Sequence, residues 1–184
     1  MINIYDDFFD KFWLDELGHV LMNEHTWHIK NVANRFSYPL NLSGSHRLIG
    51  MRIYHKKDNF NHSNEDLKIG LLNCFTNIKK RLKLNLELDS IDVNLQFKGM
   101  DGSWHIDGTK NQYSFILMLC NDIIDNFDKI GGQFIYKPTN KKINFRYGRL
   151  IQITASDEHR ALSFKKDHIP RLTLKFVATD MDKK

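Results

Sequence analysis

A change of hydrophobic period near residue 90 is the strongest constraint in this chain of 184 residues. Beyond it, Ile91, Val93, Leu95 and Phe97 alternate with Asp92, Asn94, Gln96 and Lys98. That period of two gives a strand one apolar and one polar face. YSFILMLC (113–120) is apolar on both faces, as in a buried central strand. QFIY (133–136), GRLIQIT (148–154), ALSF (161–164) and RLTLKFVA (171–178) follow. Turn-rich segments such as Gly131-Gly132 and Lys137-Pro138-Thr139-Asn140 separate them.

Before residue 90 the spacing is helical. Phe9, Phe12, Trp13, Leu17, Val20 and Leu21 recur along one predicted helix, and Leu67, Leu71, Cys74, Phe75 and Ile78 along a second. Ser63 with Asp66 three residues later predicts the start of the second helix, and Lys79-Lys80-Arg81 suits its C-terminus. Two helices followed by many short strands predict a mainly β (α+β) domain, a sandwich or barrel with N-terminal helices packed on one sheet. We expect a single domain over 1–184, with a helical N-terminal part at about 1–85 and a strand core at about 90–180.

The bulk numbers exclude several classes. Hydrophobic residues make up 41% and charged residues 27%, as in an ordinary soluble domain. The opening MINIYDDFFDKFW has acids where a signal peptide needs bases, and no run reaches the length of a membrane span. Cys74 and Cys120 have no metal-type spacing and read as reduced thiols of a cytoplasmic protein. The net charge of +5 comes with short lysine groups (Lys56-Lys57, Lys141-Lys142, Lys165-Lys166), which read first as solvated surface and secondly as a nucleic-acid face.

The chemistry begins at SWHIDG, residues 103–108. One His-x-Asp is roughly what chance provides in such a chain, so His105 and Asp107 mean little alone. At a strand end, however, residues i and i+2 share a face, so both side chains can meet one ion while Ile106 turns into the core. A third ligand must come from elsewhere, and His159 follows the GRLIQIT strand and the polar ASDE. His168 is a rival, but it leaves too little chain before the next strand. The remaining histidines (19, 25, 28, 46, 55 and 62) read as structural or exposed. Two His and one carboxylate with open positions is the ligand set of non-haem Fe(II) oxygenases. Arg171 opens the apolar strand RLTLKF and shares a face with Thr173. An arginine there is costly unless it meets an anion, and its fork suits a carboxylate.

Together, His105-x-Asp107, His159 after the YGRLIQIT strand, and Arg171-x-Thr173 resemble the 2-oxoglutarate/Fe(II) dioxygenases, in their prolyl 4-hydroxylase-like branch. IGGQFIY and the opening IYDDFFDKFWLDELGHVL are similar to that branch in order and spacing, so the resemblance covers nearly the whole chain. It implies a double-stranded β-helix (jelly roll), with Fe(II) on His105, Asp107 and His159 and 2-oxoglutarate anchored by Arg171 and Thr173. O2 is then the second cosubstrate and ascorbate a reductant. The implied reaction is hydroxylation, with a prolyl residue in a peptide or protein as the first substrate class and a nucleic-acid base or free amino acid as the second. Where many relatives carry tyrosines, this chain has Phe97 and Leu119 or Met118; Tyr113 is the residue that would compensate. Trp104, Asn94 and Gln96 are candidates to line the substrate pocket. Two rival readings are a zinc hydrolase, which leaves Arg171 without a purpose, and a non-catalytic jelly-roll binding protein.

Overall fold

A computed structural model describes residues 1–31, 47–119 and 127–183. Cys120 and His46 lie outside them. In chain order the elements are β1 (Ile2–Tyr5), α1 (Lys11–Met22), β2 (His28–Asn31), β3 (Arg47–His55), β4 (Phe60–Asn61) and α2 (Glu65–Leu82). There follow β5 (Leu86–Gln96), β6 (Gln112–Leu119), the short α3 (Phe127–Ile130), β7 (Phe134–Tyr136), β8 (Lys141–Ile143), β9 (Leu150–Thr154), β10 (His159–Ala161) and β11 (Arg171–Asp180).

The strands form two antiparallel sheets. The larger has the order β1-β9-β6-β11-β5-β3-β2, with β4 added to β3, and the smaller the order β10-β7-β8. From β1 to β5 along this order, neighbours are distant in sequence, the crossed pattern of a jelly roll. Its centre is the long β11, paired with β5 on one side and β6 on the other.

Alternation decides which face each side chain joins. On β6, Tyr113, Phe115, Leu117 and Leu119 enter a core shared with Leu14, Leu17 and Leu21 of α1 and with Leu71, Cys74 and Ile78 of α2. Ile116 and Met118 point the other way, into a second core with Phe134, Tyr136 and Ile143 of the small sheet. The helices therefore cover one face of the large sheet, and the small sheet covers the other. Burying each large apolar side chain contributes about 1.5–3 kcal/mol. Cys74 is a free thiol in the helix-side core, and burial pushes its pKa up.

Several expectations are corrected. The first 85 residues are not only helical, because β1, β2 and β3 all join the large sheet. The buried stripe of α1 is Leu14, Leu17, Gly18 and Leu21, whereas Phe12 (73%) and Val20 (46%) are exposed. Helix α2 is capped by Asn64, which accepts from the Leu67 amide, and not by Ser63. The strand expected at 161–164 is instead His159–Ala161. No helix among the described residues is long and apolar enough to cross a membrane.

Candidate metal centre

His105, Asp107 and His159 converge, each offering a ligand atom within 4.8 Å of the others. His105 and Asp107 do so from a loop, not from a strand end, and His159 from the start of β10. His105 lies between β5 and β6 and exchanges two backbone hydrogen bonds with His159 of β10, each 3.0 Å. The amides of Asp107 and Gly108 both donate to the Ala155 carbonyl, at 2.9 and 3.0 Å. Ile106 is 56% exposed rather than in the core, because this loop has left the pleat that would have turned it inward.

Backbone contacts also orient both imidazoles. His105 Nδ1 lies 2.9 Å from the Ser103 carbonyl, and His159 Nδ1 lies 2.9 Å from the Asp157 carbonyl. A carbonyl only accepts, so each Nδ1 carries the proton and each Nε2 keeps a lone pair. Those Nε2 atoms face Asp107, at 3.8 Å from its Oδ1 for His105 and 3.4 Å from its Oδ2 for His159. Phe134 stacks on the His159 ring with centroids 5.2 Å apart and shields that side from water. Burial and the neighbouring His159 push the His105 pKa down to about 4, which leaves a neutral ring at pH 7.

The Asp107 side chain is buried, with Lys175 Nζ 2.5 Å from its Oδ1. Its Oδ2 has no hydrogen-bond partner. Burial works to raise the Asp107 pKa, but the Lys175 ammonium beside it outweighs that and holds the carboxyl well below its usual range. Lys175 is shifted up in turn, since Asp107 and Asp92 overcome the burial that would lower it.

His105 and His159 border a cavity of about 50 Å³ between the sheets, lined also by Asn94, Gln96, Arg171, Thr173 and Lys175, and Asp107 adjoins it through His159, whose Nε2 lies 3.4 Å from its Oδ2. Arg171 is 1% exposed. Its Nε donates to the Gly132 carbonyl at 3.1 Å and its Nη1 to Gln96 Oε1 at 3.0 Å, while its buried Nη2 has no partner. Burial lowers its pKa to about 10, still charged at neutral pH. No carboxylate among the described residues pairs with it. The cavity thus holds an uncompensated guanidinium and two imidazoles, and the imidazoles adjoin a carboxylate whose Oδ2 has no partner. An ion with a bound carboxylate ligand satisfies both, and an apolar ligand satisfies neither.

Other predicted residues divide. Asn94 and Gln96 reach the cavity, where Asn94 Oδ1 is buried without a partner. Trp104 is outside the lining, its ring flanked by Arg160 at 4.6 Å and Lys137 at 5.4 Å. Tyr113 is corrected: it lies in the helix-side core, on the face of β6 opposite the cavity, and its hydroxyl accepts from Lys183. An odd number of steps from Ile116 dictates that face. His168 is exposed and outside the cluster. Two contributors were missed. Lys175 continues the alternation Arg171, Thr173, and so was readable. The Gly132 carbonyl was not: its φ of +78°, and a ring atom of Phe164 2.3 Å from where a Cβ would sit, require glycine there.

No family model matches this chain, and no curated protein matches it in sequence. Solved structures do match in shape. An oxidoreductase of the 2OG-Fe(II) oxygenase family from Burkholderia pseudomallei is 16% identical with a TM-score of 0.69, over 97% of this chain and 84% of that one. A Trichoplax adhaerens prolyl hydroxylase, solved in complex with a hypoxia inducible factor oxygen degradation domain peptide fragment, is 13% identical with a TM-score of 0.69, over 99% and 84%. A Pseudomonas putida prolyl-4-hydroxylase is 15% identical with a TM-score of 0.63, over 97% and 92%. The chain has the jelly-roll fold of these enzymes.

Proposed function

We propose that this protein is a 2-oxoglutarate- and Fe(II)-dependent dioxygenase that hydroxylates a prolyl residue in a peptide or protein. The observation that carries the reading is one cavity that holds a charged, incompletely satisfied guanidinium together with the two imidazoles of the His105–Asp107–His159 cluster. Asp107 Oδ2 sits beside two Nε2 lone pairs, and the charged Arg171 has a free Nη2. A zinc hydrolase would use the cluster and leave the guanidinium buried without compensation.

His105 and His159 would hold Fe(II) through Nε2 and Asp107 through Oδ2, all from one side, with open positions toward the cavity. Arg171 would grip the far carboxylate of 2-oxoglutarate, with the Thr173 hydroxyl beside it. Gln96 and the Gly132 carbonyl fix the guanidinium for that task, while Asn94 offers an acceptor to cosubstrate or substrate. Phe134 and Ile116 keep the centre dry. When bound, Fe(II), 2-oxoglutarate and O2 supply oxidative decarboxylation to succinate and CO2 coupled to hydroxylation. The peptide-bound prolyl hydroxylase among the shape neighbours supports a peptide substrate. We further propose that 1–184 works as one domain, because both cores share the large sheet, and in a reducing compartment, consistent with the free Cys74.

Anaerobic addition of Fe(II) and 2-oxoglutarate tests the chemistry. A visible charge-transfer band should need both additions and vanish in His159→Ala, and with O2 succinate formation should rise with proline-containing peptides. Tight zinc binding with no band would overturn the reading.

A further inference from the structure

Asp107 spends one of its two oxygens before any ion arrives. Lys175 Nζ lies 2.5 Å from Oδ1, with the lysine side chain only 13% exposed. The lysine is held by register. It faces Asp92 across the β11–β5 pairing, and Asp92 faces Arg52 across β5–β3. Arg52 Nε lies 3.1 Å from Asp92 Oδ1, and Arg52 Nη1 lies 3.5 Å from Asp58 Oδ2. From ligand carboxylate to solvent, the charges run negative, positive, negative, positive, negative, with the middle three (Lys175, Asp92 and Arg52) on one row of the large sheet. Asp92 is shared between Arg52 and Lys175, so it offsets the lysine only in part and leaves positive charge beside the centre.

That surplus has two consequences of opposite sign. A divalent ion on Asp107 alone has one net positive charge, and Lys175 adds to it. Like charges in a buried site repel strongly, which weakens the hold on the ion. The same charge attracts the dianion that binds next. With Oδ1 engaged, only Oδ2 is presented to the ion, so the carboxylate occupies a single coordination position.

Building on the metal-centre reading, we propose that Lys175 is a positioning residue that makes Asp107 a one-oxygen ligand and shifts binding strength from the metal ion to the dianionic keto acid. Co2+ alone is titrated into the metal-free protein, and 2-oxoglutarate is then titrated into the Co2+-loaded protein without O2. Lys175→Met should bind Co2+ about tenfold tighter and 2-oxoglutarate about tenfold weaker, the scale set by removing one buried charge at short range. Lys175→Arg, which keeps the charge, should restore both values. A purely structural role would weaken both ligands, and shifts in the same direction, or none, overturn the proposal. Should Lys175→Met not fold, Asp92→Asn carries the test: it leaves the lysine less compensated, so Co2+ should bind about threefold weaker. Unchanged or tighter Co2+ binding there overturns it. A wild-type protein that takes up no Co2+ overturns the metal reading and this inference together. Co2+ uptake without the opposed shifts overturns the role of Lys175 alone.

Discussion

A guanidinium that is 1% exposed, with two of its nitrogens occupied and Nη2 without a partner, stores a debt that a bound carboxylate discharges. Arg171→Ala should therefore weaken 2-oxoglutarate binding to the Co2+-loaded protein by about 1.5–3 kcal/mol, roughly ten- to a hundredfold. Calorimetric titration without O2 measures it, and unchanged affinity would remove Arg171 from its role. At this scale the sequence was unusually legible. His105, Asp107 and His159 could be picked out as a converging group, and Arg171 as a buried guanidinium, because few residue types suit such positions. Lys175 escaped because lysine is so often solvated surface that its place in the Arg171, Thr173 alternation went unused. Tyr113 has the chemistry of a pocket residue, but its parity along β6 points it into the helix-side core.

Element boundaries were harder, since caps and loops depend on single hydrogen bonds. Asn64 caps α2 through the Leu67 amide at 3.0 Å, although Ser63 stands beside it with an equally good side chain. Asn64→Ala should lower stability by about 1 kcal/mol in urea denaturation. Ser63→Ala should stay within about 0.5 kcal/mol. Equal effects would show that the cap is shared. The loop carrying His105 and Asp107 looked like a strand end because the i, i+2 spacing fits one. What places the two side chains instead is the pairing with residues 155–159, which no local pattern reveals. β10 was misplaced for the same reason: its three residues are a strand only because β7 lies alongside.

Across the whole molecule, the proposed ligands would tie together parts that separate on unfolding: His159 from the small sheet, Asp107 from a loop and Arg171 from the large sheet. Each at a hundredfold excess over its Kd adds about 2.7 kcal/mol, or roughly 5–10 °C in Tm for a chain of this length. Calorimetric melting should show that rise for Co2+, a further one when 2-oxoglutarate follows, and little for 2-oxoglutarate alone. His159→Ala should abolish the Co2+ rise. A full response to 2-oxoglutarate without metal would place its binding elsewhere. The general architecture was readable from the switch in period, but β1 and β2 were not, because four-residue strands at a sheet's edge carry little pattern of their own; β3, inside the sheet, does alternate through Ile49, Met51 and Ile53. One consequence follows from the reciprocal amide pairing of His105 with His159. The two imidazoles are joined through their main chains, so an arriving ion finds its seat already built and need not organise it. Exchanging one metal for another should accordingly alter reactivity while leaving the scaffold untouched.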